Sequence, residues 1–476
     1  MALTSPPDQD VAVVGATGDL AQRKLIPALY NLHVEGLLPG HGVIIGAAPL
    51  PWSDEHFRHV ARDAVSAHSR TGIDVERFTG FAERLRFVPL DDKGDLTPLR
   101  AACTQPRRIV YLAVPPSAFA PLIANLGAAG LADGTSLIIE KPFGRDLASA
   151  RELNQTLHRV VPEDRVFRID HYLGKETVQN LLVFRFGNSL FERIWNRDAI
   201  ARVEITVAET LGVEQRGKLY EEIGAMRDIV QNHLFQVLAI IAMEAPITFG
   251  AEHLRNEKVK VLQALHVIDA RSVVRGQYAA GAIDGEPVVA YREEPGVSAT
   301  STTETFAAMR LHIDSWRWSG VPFFLRTGKR LARRDTRVVI TFKDAPLHLF
   351  RDAGVHRLHT GSLEVRIQPD EGIALRFVAK QPGPDLTMQA VDMDFSYGSS
   401  FKVSPPEAYE RLLHDALDGD HLLFIREDEV ERGWEAVAQV LEHPAPIAMY
   451  PAGSLGPVEA DRIAAPGGWT PLGGFA

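Results

Sequence analysis

Residues 168–175 concentrate side chains that could hold an anion and move a proton. The segment reads Arg-Ile-Asp-His-Tyr-Leu-Gly-Lys, so Asp170, His171, Tyr172 and Lys175 fall within six positions, just before a helical pattern. Imidazole, phenol and ammonium groups all donate hydrogen bonds to phosphate oxygens, and a helix N-terminus attracts the same anion. The segment therefore indicates a phosphate site, although an ordinary polar loop entering a helix would show similar residues.

A candidate base lies in the long helical stretch predicted over residues 221–243. Histidine is the natural proton acceptor at neutral pH, and His233 borders the apolar face of this stretch. A core histidine held by ordinary hydrogen bonds would show the same pattern. Asp228 stands five positions earlier, and residues five apart do not share a face on an α-helix.

Two lysines are candidate contacts for an anionic ligand. Lys141 comes at the end of the apolar run 136–139, and the carboxyl ends of parallel strands are where open sheets bind ligands. The Lys141-Pro142 bond can adopt the cis form. Lys329 belongs to a basic run that is either solvated surface or the local cluster that an anionic ligand needs in this acidic chain. A phosphate-binding loop of the GxxxxGK type is excluded, because Phe323 replaces its first glycine.

A glycine-bearing turn follows the first predicted strand. Gly15 and Gly18 give the spacing GxxG, which suits either a dinucleotide pyrophosphate or a plain strand–turn–helix connection. The second strand ends at Pro49, without the acid that reads a ribose hydroxyl or the arginine that reads a 2′-phosphate. The choice between NADP and NAD stays open, with local substitutes at Thr17, Arg23, Lys24, His56 or Arg58.

The order of elements predicts two domains. Short apolar strands alternate with helices in the first third, which indicates a doubly wound, Rossmann-like α/β domain over residues 1–175. Longer alternating strands follow, which indicates an α+β domain with a large, mainly antiparallel sheet over residues 176–476. The proline- and glycine-rich tail from Pro451 is expected to lie loosely on the surface.

Composition excludes several classes of function. The net charge of −10 argues against nucleic acid or an anionic membrane as a partner. The single cysteine, Cys103, excludes an intramolecular disulfide and a multi-thiolate metal site, and we expect no metal. The chain carries no signal peptide and no apolar run of membrane-spanning length, so we expect a cytoplasmic protein.

Seven segments together resemble the glucose-6-phosphate dehydrogenases. They occur in the family's order and cover nearly the whole chain, and residues 168–175 are the most specific of them. The segments are Gly15-Ala-Thr-Gly18-Asp-Leu, Tyr111-Leu-Ala-Val-Pro-Pro116, Glu140-Lys-Pro-Phe-Gly144, Arg168-Ile-Asp-His-Tyr-Leu-Gly-Lys175, Ile194-Trp-Asn-Arg197, Arg227-Asp-Ile-Val-Gln-Asn-His233 and Val321-Pro-Phe-Phe-Leu-Arg-Thr-Gly-Lys329.

The resemblance implies oxidation of D-glucose 6-phosphate at C1 to 6-phospho-D-glucono-1,5-lactone, the first oxidative step of the pentose phosphate pathway. It implies that His233 is the general base and that Asp170 orients and stabilises its imidazole. His171, Tyr172 and Lys175 match the phosphate clamp, and Lys141 matches a lysine between sugar and cofactor. The remaining substrate contacts would be Glu209, Asp228, Lys329 and Arg334, and the cofactor loop would be Gly15, Thr17, Gly18, Asp19 and Leu20.

One departure concerns the cofactor. Many NADP-using members have an arginine where this chain has Pro49. We therefore expect NADP to be the cofactor, with a reduced preference for NADP over NAD. Use of NAD is compatible with the sequence. A homodimer or homotetramer is expected from the broad sheet. The alternatives are a dehydrogenase of unphosphorylated sugars or inositol, against which the phosphate clamp argues, and a non-catalytic cofactor-sensing paralogue.

Overall fold

The computed structural model describes residues 3–347, 349–350, 360–401 and 406–474. Its strands are β1 (Asp10–Val14), β2 (Ile44–Ala48), β3 (Leu85–Pro89), β4 (Arg108–Leu112), β5 (Thr135–Ile139), β6 (Val166–Arg168), β7 (Ile200–Ala208), β8 (Val273–Ala279), β9 (Gly281–Ile283), β10 (Glu286–Val288), β11 (Phe306–Leu311), β12 (Phe323–Gly328), β13 (Asp335–Phe342), β14 (Ser362–Gln368), β15 (Gly372–Lys380), β16 (Met388–Ser396) and β17 (Ile447–Pro451).

Helices connect and cover these strands. The α-helices are α1 (Ile26–Val34), α2 (Asp54–His68), α3 (Val75–Glu83), α4 (Thr97–Ala102), α5 (Phe119–Ala128), α6 (Leu147–His158), α7 (Glu176–Phe186), α8 (Ser189–Ile194), α9 (Gly217–Ala225), α10 (Phe235–Ala242), α11 (Ala251–Gln263), α12 (Tyr397–Phe401), α13 (Ala408–Asp418) and α14 (Glu427–Glu442). Two π-helical segments occupy Ala21–Leu25 and Met226–Leu234. Within the described ranges, no helix is long and apolar enough to cross a membrane.

The chain divides into two compact units. The first unit comprises Met1–Lys175, Pro246–Asn256 and Pro405–Glu431, and the second comprises Glu176–Ala245, Glu257–Ser404 and Arg432–Ala476. The first break falls after Lys175. The first unit also takes in two later segments, which a division at one point of the chain does not foresee.

The first unit is built on a six-stranded parallel sheet in the order β3-β2-β1-β4-β5-β6. Every residue of β1 and β2 is buried, as a sheet covered on both faces requires. Asp10 tolerates this burial because its carboxylate accepts hydrogen bonds from Val43 N, from Thr104 N and Oγ1, and from Gln105 N. The doubly wound fold predicted from the sequence is confirmed, and its strand order reverses between β1 and β4.

The second unit contains a nine-stranded mixed sheet in the order β16-β15-β14-β13-β7-β12-β11-β8-β17. All neighbouring pairs are antiparallel except β7 with β12 and β8 with β17, which run parallel. The prediction of a large, mainly antiparallel sheet is confirmed. The two parallel pairs were not foreseen, and the first of them proves central to the candidate site.

The helix predicted over residues 221–243 is interrupted, so the expectation of one continuous helix is wrong. Gly224 has φ 64° and ψ 174°, a backbone conformation that L-residues rarely adopt. A Cβ at this position would lie 2.5 Å from Oε1 of Glu304, and the same oxygen accepts a hydrogen bond from Met226 N at 3.0 Å. Glu304 therefore anchors the first residue of the π-helical segment that follows.

The tail beyond Pro451 is packed rather than loose, which corrects the expectation from its composition. Ala460, Ile463 and Ala464 are buried in the hydrophobic core of the second unit. The guanidinium of Arg326 lies 4.7 Å from the ring centroid of Trp469, and Arg326 also donates to Thr470 O at 3.1 Å. Small residues let this segment approach the sheet closely, and buried side chains hold it there.

Candidate functional site

The turn after β1 lies where the strand order of the first sheet reverses. Gly15 has φ 91°, and a Cβ there would lie 2.3 Å from the carbonyl oxygen of Ala113, which follows β4. Only glycine fits this position, and its N–H donates to Ala47 O at 2.7 Å. The crevice at such a reversal is where doubly wound sheets bind nucleotides. The backbone of this turn therefore fits the close approach of a dinucleotide pyrophosphate.

The other residues of the predicted cofactor loop lie on the same turn and the helical turn after it. Thr17 O accepts a hydrogen bond from the amide of Gln22 at 2.9 Å. Asp19 forms an exposed ion pair with Arg23 at 2.6 Å. Gly18 lies at the end of the turn, and Leu20 directly precedes the π-helical segment Ala21–Leu25.

Pro49 is exposed and directly follows β2. Besides Arg23, which is paired with Asp19, two more of the suggested substitute cations have protein partners. Lys24 forms an ion pair with Glu407 at 2.6 Å, and Arg58 donates to Ala82 O at 2.9 Å and to Leu85 O at 3.1 Å. His56 packs its ring against Trp52. Arg23 is the more exposed cation, with 63% of its side chain accessible.

A carboxyl group that the sequence analysis did not single out lies beside Lys141. Glu140 Oε1 accepts hydrogen bonds from the hydroxyls of Tyr111, in β4, and of Tyr409, in α13, the second at 3.1 Å. Burial raises the pKa of Glu140, and the nearby Asp170 adds to the rise, whereas the phenols and Lys141 oppose it. The Lys141-Pro142 bond is cis. No sequence pattern near Glu140 predicts its contact with Tyr409, because Tyr409 lies 269 positions later in the chain.

Residues 170–175 gather the three proposed phosphate donors within the first unit. Asp170 is buried, and its Oδ1 accepts a hydrogen bond from Tyr172 N at 2.9 Å, which closes a tight turn. The His171 and Tyr172 ring centroids are 5.0 Å apart, and Lys175 Nζ lies 3.7 Å from the Tyr172 centroid. These contacts group an imidazole, a phenol and an ammonium within residues 171–175, and all three groups can donate hydrogen bonds to phosphate.

In the second unit, the parallel pair β7 and β12 brings together two predicted substrate contacts. Ala208 and Gly328 are paired at the carboxyl ends of these strands, so the residues that follow, Glu209 and Lys329, emerge side by side. Lys329 Nζ contacts a carboxylate oxygen of Glu209 at 2.6 Å. Lys329 is 6% exposed, and its carbonyl accepts a hydrogen bond from the Tyr450 hydroxyl at 2.7 Å. Both the ammonium group and the backbone of this lysine are fixed.

A small cavity of about 60 Å³ opens beside Lys329. Asp228, another predicted contact, also lines it, together with Val213, Arg216, Leu219, Tyr220 and Ile223. Arg334 is exposed instead, and its guanidinium donates to Gln368 Oε1 at 3.0 Å. Arg216 and Tyr220 could not be identified from the sequence, because their residue types and spacing match no binding motif.

His233 is 1% exposed and lies in the π-helical segment. A π-helix is hydrogen-bonded from residue i to i+5, so residues five apart lie about one turn apart. The expectation that Asp228 and His233 do not share a face, which assumed α-helical geometry, is therefore wrong. The π-helical register places the two positions on the same side of the segment.

Comparisons with known proteins agree over most of the chain. A family model described as "Glucose-6-phosphate dehydrogenase, NAD binding domain" matches residues 12–180, and one described as "Glucose-6-phosphate dehydrogenase, C-terminal domain" matches residues 182–470. Glucose-6-phosphate 1-dehydrogenase 2 of Mycobacterium tuberculosis is 46% identical, over 94% of this chain and 91% of its own. Glucose-6-phosphate 1-dehydrogenase of Rhizobium meliloti is 44% identical, over 95% of each chain.

A solved structure shows the same similarity in three dimensions. It is a glucose-6-phosphate dehydrogenase in complex with its substrate glucose-6-phosphate, with a TM-score of 0.89 and 36% sequence identity. The match covers 99% of this chain and 99% of that one.

Proposed function

The chain belongs to the glucose-6-phosphate dehydrogenase family, and from this premise we propose that it oxidises D-glucose 6-phosphate at C1. The product is 6-phospho-D-glucono-1,5-lactone, and the reaction is the first oxidative step of the pentose phosphate pathway. The observation that carries the choice of substrate is the cluster of His171, Tyr172 and Lys175 before α7. An unphosphorylated sugar or inositol would not need three such donors.

The proposed roles divide between proton transfer and binding. His233 takes the proton from the C1 hydroxyl, and Asp170 stabilises the protonated imidazole. When bound, an oxidised nicotinamide dinucleotide supplies the hydride acceptor. Lys141 contacts both sugar and cofactor, and the cofactor loop is Gly15, Thr17, Gly18, Asp19 and Leu20. The substrate contacts are His171, Tyr172, Lys175, Glu209, Asp228, Lys329 and Arg334.

The substrate assignment is tested by comparing kcat/KM for glucose 6-phosphate and for free glucose with the purified protein. We expect a large preference for the phosphorylated sugar, because each charge-assisted hydrogen bond to phosphate contributes about 1.5–3 kcal/mol. A preference for free glucose would support the unphosphorylated-sugar alternative. If the protein binds glucose 6-phosphate but does not oxidise it in the presence of NADP or NAD, the result would support the non-catalytic alternative.

We propose that the cofactor is NADP, that the protein binds its 2′-phosphate weakly, and that NAD is therefore also used. The support is Pro49 at the end of β2 and the existing protein partners of Lys24 and Arg58. The measurement is kcat/KM for NADP and for NAD at saturating glucose 6-phosphate. We expect the ratio of kcat/KM for NADP to kcat/KM for NAD to be near one. A strong preference for NADP would mean that another cation, such as Arg23, binds the 2′-phosphate.

We also propose a cytoplasmic homodimer or homotetramer. The support is the nine-stranded sheet, where Phe377 of β15 and Met393 of the edge strand β16 expose large apolar side chains. Light scattering coupled to size-exclusion chromatography measures the mass directly. A monomeric mass at micromolar concentration would contradict the proposal.

A further inference from the structure

Tyr220, in α9, carries a buried hydroxyl that makes no hydrogen bond to any residue in the described part of the chain. The side chain is 6% exposed and lines the cavity beside Lys329. A buried polar group without a partner costs about 1–3 kcal/mol, and nearly all such groups in native proteins have one. A hydrogen-bond acceptor in the cavity would remove this cost.

The neighbouring phenols of the same aromatic cluster are all satisfied within the protein. The hydroxyl of Tyr278 donates to Glu294 at 2.9 Å, that of Tyr291 to Glu221 at 2.6 Å, and that of Tyr450 to Lys329 O at 2.7 Å. Tyr220 packs edge-on against Tyr291, with ring centroids 6.2 Å apart. Among these four tyrosines, Tyr220 is therefore the one whose hydroxyl has no protein partner among the described residues, and it is the one that lines the cavity.

The groups around Tyr220 are those proposed to hold the sugar. Lys329 Nζ lies 5.2 Å from the centroid of the Tyr220 ring, and Asp228 lines the same cavity. The cavity of about 60 Å³ exceeds the roughly 10–15 Å³ that one water molecule needs on the same measure, so it has room for a polar group of a bound ligand. A polar substituent of a larger ligand fits this space.

The protonation state of Tyr220 suits a donor. Burial raises the pKa of the Tyr220 hydroxyl well above its ordinary value, and the carboxylates of Asp228, Glu304 and Glu209 raise it further. The phenol therefore stays neutral near pH 7 and offers its proton to an acceptor oxygen.

We propose that Tyr220 is a further substrate-binding residue, whose hydroxyl donates a hydrogen bond to an oxygen of the sugar phosphate that Asp228 and Lys329 contact. This inference rests on the proposed function. It adds a contact from α9 to those expected from the resemblance, and it gives the buried hydroxyl a partner only when substrate is bound.

The test is Tyr220→Phe, which keeps the ring and removes only the hydroxyl. We expect the dissociation constant for glucose 6-phosphate, measured by calorimetry, to rise about 3- to 10-fold, as the loss of a neutral hydrogen bond implies. The melting temperature without ligand should not fall, because the folded protein loses no hydrogen bond. An unchanged dissociation constant would overturn the proposal.

Deoxy analogues of glucose 6-phosphate identify the oxygen that Tyr220 contacts. For the analogue that lacks that hydroxyl, the variant and the wild type should have equal dissociation constants, as in a double-mutant cycle. An equal loss with every analogue would assign the contact to a phosphate or ring oxygen, which also supports the proposal.

Tyr291→Phe is the matched control. This variant loses a hydrogen bond to Glu221 within the protein, so its melting temperature should fall while the dissociation constant stays within about twofold of the wild type. A similar loss of affinity in both variants would indicate general disturbance of the aromatic cluster and overturn the proposal. Because the readout is binding, it remains separate from the proposed function, which fails only if the wild type does not oxidise glucose 6-phosphate.

Discussion

At the scale of single residues, Glu140 shows how a site can contain a group that sequence spacing does not reveal. Its carboxyl accepts hydrogen bonds from two phenols, one of them supplied by a helix almost 270 positions later. Lys141 was identifiable because it follows a strand end in the linear sequence. The partners of Glu140 were not identifiable, because only the folded chain brings α13 to this point.

Replacing Glu140 by Gln should change how stability depends on pH. Burial raises the pKa of the folded carboxyl, so the folded state holds this proton more tightly than the unfolded chain does. Its contribution to stability is present below the unfolded pKa of about 4.3 and is lost as pH rises through the raised folded value. The melting temperature of the variant relative to the wild type should therefore increase with pH over this window. A difference that stays constant with pH would contradict this account.

Replacing Pro49 by Arg should restore a contact to the 2′-phosphate. The gain expected from one charge-assisted hydrogen bond is about 1.5–3 kcal/mol, which raises kcat/KM for NADP by about 10- to 150-fold. The value for NAD should change little, because NAD lacks this phosphate. Equal increases in kcat/KM for NADP and for NAD would show that residue 49 does not contact the 2′-phosphate.

At the scale of elements, the sequence predicts the type of a strand more readily than its neighbours. The continuous apolar runs of β1, β2, β4 and β5 predicted the parallel sheet correctly, because burial on both faces leaves that pattern. The parallel pairing of β7 with β12 has no local signal within an otherwise alternating region. The Glu209–Lys329 ion pair depends on that pairing, so its geometry could not be deduced from the spacing of the two residues.

The π-helical segment likewise leaves no pattern that a 3.6-residue period would detect. Its start depends on Gly224, and Gly224→Ala should destabilise the protein by more than the roughly 1 kcal/mol expected from the positive φ alone. The added Cβ would meet the Glu304 carboxylate at 2.5 Å. We also expect kcat/KM to fall, because Glu304 anchors the residues that lead to Asp228 and His233.

Gly285→Ala is the control for this prediction. Gly285 has φ 85°, but an added Cβ would meet nothing within 4 Å, so only the conformational strain remains. Equal effects of the two substitutions on unfolding by denaturant would refute the role assigned to Gly224.

At the scale of the whole molecule, the tail shows why composition alone misleads. Its prolines and glycines suggested a loose surface segment, yet Trp469 donates to Ala460 O and stacks with Arg326. Trp469→Ala should lower the free energy of unfolding by about 2–4 kcal/mol, as expected for removal of a partly buried tryptophan. Trp316→Ala is the matched control, because Trp316 is 95% exposed and should change stability by less than about 0.5 kcal/mol. Equal losses would mean that the tail does not stabilise the second unit.

We propose above that this chain oxidises glucose 6-phosphate with His233 as the base. The most direct measurement is kcat of His233→Asn at saturating glucose 6-phosphate and cofactor, together with the dissociation constant for the sugar phosphate. We expect kcat to fall by about 10²- to 10⁴-fold, the contribution of a positioned general base, while the dissociation constant stays within a few fold of the wild type. A variant that retains most of its turnover would contradict the assignment of His233 and the mechanism built on it.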